Sequence, residues 1–514
     1  MGFTSILFPD SIGAGSISWE PPEPEYFADL NLDQIVRGCT LGREEYHLIP
    51  FFYLPLQNGD TVRFRQEVTR DLEENEPLRQ SIQAFAQKMQ KVRMYRSLAE
   101  KLYYKLNKEG WFLEAIDTYC DAVLQLTEEL LHLPLSSCGF LAFREYLSHH
   151  VQSPSFVALR EGVKNLKRAL QSIKYCIQIN GLRVKVRHYE EETDYSAVIE
   201  AIFARFRQEA SQDYRVQYHT GVDMNHVEAK IAEGVAQLFP EVFSNLEKYC
   251  AENANFLDAK IVAFDREIQF YMAYLEYIAP LKKRGLKFCY PEISSNPEGI
   301  YGHEVFDLAL AYSLLAEGKT PVCNDFFLQG QERIFLVSGP NQSGKTTFAR
   351  TFGQLHYLAS LGLPVPGSSA RLLLPDRIFT HFEREEDITT LRGKLEDDLV
   401  RMHVMLTQAT SKSVLIINEA FNSTALHDAI FLSTEIMQKI LQLGAVCVWV
   451  TFVIELAFLD PERIVSLVST VHPDNPETRT YKILRKAPDG LAFALSLARK
   501  YRLTREAIKE RIRT

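Results

Sequence analysis

The sequence lacks the features that mark several classes of protein. It has no run of about 18 apolar residues that could span a membrane, and its start, MGFTSILFPD, lacks the basic segment and apolar core of a signal peptide. Its eight cysteines include no C-x-x-C pair, which disfavours zinc sites and disulfides. With a net charge of -9, the chain has no overall attraction to nucleic acid. We therefore expect a cytoplasmic globular protein with no membrane partner, in which any DNA-binding face is a local patch.

The most specific chemical signal lies at residues 334–350, which read IFLVSGPNQSGKTTFAR. Four apolar, β-favouring residues lead into a match to G-x-x-x-x-G-K-[ST], and a helical pattern follows. In such a loop the glycines let successive N–H groups turn inward around a phosphate chain, the lysine reaches the β- and γ-phosphates and the threonine hydroxyl binds Mg²⁺. A chance turn is the alternative, but the strand before and the helix after favour a nucleotide site. The predicted site is Gly339, Pro340, Asn341, Gln342, Ser343, Gly344, Lys345, Thr346 and Thr347.

A second signal follows at residues 413–419, where an apolar strand pattern ends in Asn418 and Glu419. P-loop ATPases place an Asp for Mg²⁺ and a Glu that activates water at this kind of strand end. Asn418 can contact Mg²⁺ through a bound water but adds no charge, and Glu419 is the candidate general base. The two residues could also be an ordinary surface pair, but their distance from the phosphate loop favours a catalytic site.

Composition and periodicity divide the chain into three predicted regions. These are an irregular N-terminal lead-in at 1–45, a helical region at 46–287 and an α/β domain at 288–514. In the last region, six β-like runs at 334–337, 376–381, 413–417, 445–451, 464–471 and 479–484 alternate with helical patterns. This alternation predicts a mostly parallel, doubly wound sheet.

The helical region contains three features with a bearing on function. Eight Lys/Arg between residues 79 and 108 could follow a phosphate backbone, although a solvated helix face is the favoured interpretation. An Asn-Gly turn and an alternating strand at 176–194 predict a hairpin that carries Arg183, Lys185 and Arg187, which are candidate DNA contacts. Residues 245–278 read as one amphipathic helix, which at roughly thirty residues would span about 45 Å.

These motifs together resemble the MutS family of DNA mismatch repair ATPases. The resemblance rests on GPNxxGKT, the preceding VCND, the helix that ends LASLGLPVPG, the segment DRIFT, the Asn418-Glu419 strand and the tail DGLAFALSLARKYRLTREAIKERI. It implies a multidomain fold in which an all-α core and lever domain carries a small clamp-like insertion near 176–224. It further implies an α/β P-loop ATPase domain of ABC type at 288–514, which dimerises through its nucleotide sites and ends in a helix-turn-helix.

The resemblance implies roles for individual residues. Asn341 would contact the γ-phosphate region and the partner subunit, Lys345 and Thr346 would hold ATP and Mg²⁺, and Glu419 would act on the attacking water. Asp428 falls near the implied dimer interface. Three departures remove groups that sense or cleave the γ-phosphate: Asn418 replaces an acidic residue, Phe452 replaces a histidine, and residues 391–394 replace a serine-bearing loop. ATP binding is therefore expected, with slow hydrolysis, and Arg392 is a candidate compensating charge.

Three functions are compatible with these motifs. The first is a shortened MutS-like homodimer that lacks the mismatch-reading domain and acts as an ATP-switched clamp on structured or branched DNA in repair, recombination or the DNA damage response. The second is a non-catalytic assembly protein that retains the fold without DNA binding. The third, a P-loop small-molecule kinase, is disfavoured because the long helical region has no role in it. Three Phe-x-Glu triplets, which begin at Phe112, Phe143 and Phe239, match the family's mismatch reader but lie in predicted helices.

Overall fold

The computed structural model describes residues 2–9, 21–181, 183–191, 223–383, 393–472, 475–488, 504–505 and 508–509. The chain divides into two units. The first comprises residues 75–135 and 141–265 with the first two residues, and the second comprises 3–74, 136–140 and 266–514. These boundaries differ from those predicted at 45 and 287. The mixed helix and strand content agrees with the multidomain α/β fold that the sequence predicts, whereas the predicted helix-turn-helix lies almost wholly outside the described residues.

Helices and strands alternate along the second unit, and helices predominate in the first. The α-helices are Tyr26–Asp29, Leu32–Thr40, Ile49–Phe52, Gly59–Glu74, Glu76–Lys101, Lys105–His132, Cys138–Gln152, Pro154–Ser172, His226–Leu238, Pro240–Glu252, Ala259–Lys283, Leu308–Leu314, Lys345–Ser360, Lys394–Gln408 and Leu426–Leu443. The strands are Tyr175–Asn180, Arg183–His188, Phe288–Cys289, Glu292–Ser294, Tyr301–Val305, Asn324–Phe327, Ile334–Ser338, Val365–Pro366, Ser369–Leu373, Ile378–His381, Val414–Asn418, Val446–Val450, Ile464–His472 and Asn475–Arg485. Short 3-10 helices lie at Glu44–Tyr46 and Ile454–Phe458. Among the described helices, none combines the length and the apolar character needed to cross a bilayer.

The first unit is built on two long helices, Glu76–Lys101 and Lys105–His132, which pack along each other. Asn75 caps the first by accepting a hydrogen bond from the N–H of Leu78. Several of the basic residues between 79 and 108 form ion pairs with acidic residues, among them Lys88 with Asp121. The basic stretch is thus a solvated helix face, as favoured from sequence.

The single long helix predicted for residues 245–278 is wrong, because the structure breaks it between Pro240–Glu252 and Ala259–Lys283. The Asp258 carboxylate accepts hydrogen bonds from the N–H groups of Lys260 at 2.9 Å and Ile261 at 3.0 Å. Such a side chain starts a new helix by satisfying the free N–H groups of its first turn. The spacing of apolar residues continues across this break, and spacing alone does not reveal a helix cap.

A two-stranded hairpin in the first unit confirms the predicted β excursion. Tyr175–Asn180 pairs antiparallel with Arg183–His188, and Gly181 adopts a φ of +59° at the turn. At its base, the His188 ring lies 5.0 Å from the Phe239 ring. Toward the tip, Ile179 is 71% exposed. The rest of the proposed insertion, residues 192–222, lies outside the described part of the chain.

The second unit contains the predicted doubly wound sheet. Its six strands run in the order 378–381, 414–418, 446–450, 334–338, 464–472 and 475–485, and all neighbours are parallel except the last pair. One face packs on the helices Lys394–Gln408 and Leu426–Leu443 through residues such as Trp449 and Met437. Phe335, in the central strand, packs edge to face against Phe348 and Phe352 of the helix Lys345–Ser360. Helices therefore cover both faces, as expected for parallel strands.

Two smaller sheets complete the second unit. One has four strands, in the order 292–294, 369–373, 301–305 and 324–327, and the other pairs Phe288–Cys289 with Val365–Pro366.

Residues 21–52 also belong to the second unit, where they contact the helix Lys345–Ser360. The region predicted to be irregular contains the helix Leu32–Thr40. Gln354 donates a hydrogen bond to the carbonyl of Leu30 at 2.9 Å, and the Tyr357 hydroxyl donates to the carbonyl of Phe52 at 2.6 Å. These long-range contacts, which local composition does not reveal, order the segment.

Candidate nucleotide site

The loop between the strand Ile334–Ser338 and the helix Lys345–Ser360 has the backbone path predicted from its glycines. Gly339 and Gly344 adopt φ values of +128° and +91°, and Gln342 lies between them at +58°. A Cβ on Gly339 would lie 2.1 Å from the Ser469 hydroxyl oxygen, so that position admits only glycine. Helix N–H groups at such a loop attract anions, which is the property a phosphate site needs.

Lys345 begins the helix and turns its side chain back over the loop. Its ammonium donates hydrogen bonds to the carbonyls of Gly339 at 3.1 Å and Pro340 at 3.0 Å. The Glu419 carboxylate lies 4.0 Å away. Burial lowers the pKa of Lys345, the Glu419 charge opposes that shift, and Arg479 adds to it. The ammonium is thus held beside both the loop and the candidate base.

Thr346 and Asn418 meet at the end of the strand Val414–Asn418. The Thr346 hydroxyl donates a hydrogen bond to the Asn418 side-chain oxygen at 2.9 Å. Glu419 follows with a φ of +54°, and its N–H donates to the carbonyl of Val450 at 2.9 Å. A left-handed backbone at a glutamate is strained and is a feature of functional sites. The carboxyl ends of parallel strands share one sheet edge, which explains why these residues converge.

Phe452 reaches the same edge from the end of the strand Val446–Val450. The Lys345 nitrogen lies 4.9 Å from the centre of its ring, and Phe452 is 47% exposed. A phenyl ring offers its negative face to a cation but can neither donate nor accept a proton. The structure therefore places an apolar group beside the lysine.

A cleft of about 860 Å³ opens over the loop. Its lining includes the predicted residues Asn341, Gln342, Ser343, Gly344, Lys345, Thr346, Thr347 and Glu419, together with Asn324 and Tyr481. Pro340 is buried. Tyr481 has a φ of +57° and is held by Asn324, whose amide donates to the Tyr481 carbonyl at 3.1 Å and accepts from the N–H of Ile483 at 2.8 Å. The cleft has room for more than a phosphate chain.

Further candidate residues named from the sequence belong to other parts of the chain. Arg183, Lys185 and Arg187 lie on the hairpin strand of the first unit, and Arg392 lies outside the described residues. Sequence analysis overlooked Ser469, a buried serine in the strand Ile464–His472 whose hydroxyl oxygen lies 2.5 Å from that of Ser343. No local signal marks it, because the same strand also contains the polar residues Ser466 and Thr470.

Comparison with known proteins identifies the region that contains this site. A family model described as MutS domain V matches residues 335–511. A DNA mismatch repair protein MutS of Thermotoga neapolitana is 31% identical over 137 residues, which are 27% of this chain and 17% of that protein.

Two further relatives extend the comparison. An endonuclease MutS2 of Thermus thermophilus is 31% identical over 189 residues, which are 37% of this chain and 25% of the relative. A MutS of Aquifex pyrophilus is 30% identical over 222 residues, 40% of this chain and 25% of the relative. The matched part of this chain spans a quarter or less of each of these relatives.

Proposed function

Because this chain belongs to the MutS family, we propose that it is an ATP-binding and DNA-binding protein that acts as a nucleotide-switched dimeric clamp in DNA repair or recombination. Nucleotide binding across the dimer would change the equilibrium between two arrangements of the DNA-binding elements. The observation that carries this proposal is the loop geometry, in which Gly339, Lys345 and Thr346 adopt the arrangement of a phosphate cradle beside Glu419.

The oxygen atoms at the strand edge fit Mg²⁺, the metal that accompanies ATP. The Thr346 hydroxyl and the Asn418 side-chain oxygen are 2.9 Å apart, and hard oxygen ligands suit this ion. Among the described residues, no group of three His, Cys, Asp or Glu forms a metal cluster, so the remaining ligands would be waters and phosphate oxygens. Mg²⁺ would neutralise phosphate charge there, while Thr346 and Asn418 would orient it.

Hydrolysis is proposed to be slow. Glu419 is proposed to orient a water, and the 4.0 Å distance between its carboxylate and the Lys345 ammonium supports this role. However, Asn418 adds no negative charge for the metal, and Phe452 offers no proton donor beside the γ-phosphate position. Loss of such preorganised groups typically costs about 100-fold or more in rate. The site therefore supports ATP binding better than turnover.

DNA binding is proposed through the hairpin, on which Arg183, Lys185 and Arg187 alternate along one strand. The same three side chains share one face of the ribbon, because residues two apart point the same way. Such a basic ribbon would contact phosphates rather than read sequence. The competing candidate is a nucleotide-dependent assembly protein that does not bind DNA. Asn418 and Phe452 favour this candidate, because both are expected to slow ATP hydrolysis.

A salt titration of DNA affinity separates these two candidates. The unaltered protein and a variant with Arg183, Lys185 and Arg187 all changed to Ala would be titrated with linear and branched duplexes. Removal of three phosphate contacts should reduce the slope of log affinity against log salt by about 2.7. Changing Lys88, Lys105 and Lys167, which are paired with acids, provides a control of equal charge. Salt-independent binding, or none, would instead support the assembly protein.

A further inference from the structure

Two buried hydroxyl groups, one in the phosphate loop and one in a neighbouring strand, lie next to each other. Ser343 and Ser469 are each 1% exposed. The Ser343 hydroxyl donates to the carbonyl of Pro340 at 2.6 Å and lies 2.5 Å from the Ser469 oxygen. Ser469 lies 3.3 Å from the carbonyl of Ser338. The hydroxyls thus form a short chain that reaches from the neighbouring strand to the loop.

The Pro340 carbonyl has two donors in this structure, the Ser343 hydroxyl at 2.6 Å and the Lys345 ammonium at 3.0 Å. A carbonyl oxygen accepts two hydrogen bonds, so both donors fit. If Lys345 binds a phosphate instead, this buried carbonyl keeps only the bond from Ser343. Without that bond it would be unsatisfied, and a buried polar group without a partner is costly.

Each hydroxyl has one proton, and because the two oxygens are only 2.5 Å apart, one of them must donate to the other, which leaves two arrangements. In the first, Ser343 donates to Pro340 and Ser469 donates to Ser343. In the second, Ser343 donates to Ser469, Ser469 donates to Ser338, and Pro340 depends on Lys345 alone. Only the first arrangement satisfies Pro340 without the lysine.

We infer that Ser343 is a positioning residue that releases Lys345 for the nucleotide by satisfying the Pro340 carbonyl in its place. Ser469 donates to Ser343 in the first arrangement, and it also leaves no room for a Cβ on Gly339, where that atom would lie 2.1 Å from the Ser469 oxygen. The inference rests on the proposed ATP binding for its functional meaning. Independently of ATP, it predicts that the contributions of Ser343 and Lys345 to stability are coupled through the Pro340 carbonyl.

That coupling is measurable without nucleotide, by a double-mutant cycle in thermal stability on the full chain. Ser343→Ala, Lys345→Ala and the double variant would be melted beside the unaltered protein. We expect the double variant to lose about 2 °C or more beyond the sum of the single losses, because only there does Pro340 lose both donors. Ser466→Ala is the matched control. Ser466 lies on the strand that contains Ser469, and its hydroxyl is buried without a hydrogen-bond partner. Losses that add would overturn the inference.

A second readout links Ser343 to ATP. Ser343→Ala should weaken ATP affinity about 5-fold, as expected for one hydrogen bond. Ser469→Ala leaves Ser343 with Pro340 as its acceptor, so this variant and Ser466→Ala should change ATP affinity little. If Ser343→Ala binds ATP like the unaltered protein, Ser343 has no role in releasing Lys345. If the unaltered protein binds no ATP, the proposed function fails, and the stability cycle still decides the coupling.

Discussion

The phosphate loop and the basic hairpin carry the two proposed activities, and their surroundings differ sharply. The loop lies among buried groups: Ser469 touches Gly339, and the Lys345 side chain is 4% exposed. The hairpin is open, with Ile179 71% exposed and no atom within 4 Å of a Cβ placed on Gly181. Packing therefore restricts Gly339 and Lys345 in the loop, while the exposed hairpin should tolerate substitution with less loss of stability.

This difference predicts how each region responds to substitution. Changes in the loop should affect folding and nucleotide binding together, because the same contacts serve both. Changes on the hairpin should affect DNA binding with little cost in stability.

The largest effect should come from matched glycine substitutions. Gly339 and Gly181 both have positive φ, but only Gly339 is in close contact. We expect Gly339→Ala to lose about 2–5 kcal/mol of stability and to abolish ATP binding, since strain and overpacking combine. Gly181→Ala should lose about 1–2 kcal/mol from backbone strain alone. Chemical denaturation and ATP titration measure both, and equal losses would remove the proposed contrast.

The next largest expected change is in the pH dependence of stability, and it concerns His356, which is fully buried in the helix that follows the loop. Burial lowers its pKa to about 4. As pH falls below about 6.5, the unfolded chain takes up a proton that the folded chain refuses, so stability should decline until pH 4. The loss attributable to His356 should approach about 3 kcal/mol.

The variant His356→Leu isolates this contribution, because leucine does not titrate. Its unfolding free energy should fall less steeply between pH 6.5 and 4 than that of the unaltered protein. Parallel curves for the two proteins would mean that His356 protonates in the folded state as readily as in the unfolded state.

A smaller effect is expected from Asn418→Asp. The Thr346 hydroxyl that donates to Asn418 can donate equally to a carboxylate, so the geometry should survive while the metal gains a charged partner. We expect ATP turnover to rise about 10-fold, well short of full recovery because Phe452 remains. Asn422→Asp adds the same charge nearby, where the amide of Asn422 lies 3.4 Å from the Glu419 carboxylate. A similar rise in that control would show that the effect is general electrostatics.

The sequence predicted those features whose residues are adjacent in the chain. The strand, the glycine loop and the helix at 334–360 are adjacent in sequence, and their spacing alone predicts the cradle. The six sheet strands also follow from runs of apolar residues. The hairpin followed from an Asn-Gly turn and strict alternation.

Long-range contacts lay beyond this reasoning. Ser343 and Ser469 are 126 residues apart, and no local pattern connects them. The helical order of residues 32–40 depends on packing around a helix that begins at Lys345. The break before Ala259 depends on one capping carboxylate, Asp258, within a continuous apolar pattern.

Equilibrium ATP titration of the unaltered protein and Lys345→Ala tests whether Lys345 and its loop bind ATP. The variant Lys412→Ala, at an exposed lysine, serves as the charge-matched control. We expect ATP binding by the unaltered protein and the control, and a loss of affinity of about 100-fold or more in Lys345→Ala, since a partly buried lysine that contacts phosphate is removed. Equal affinity in all three proteins, or no ATP binding by any of them, would contradict this expectation.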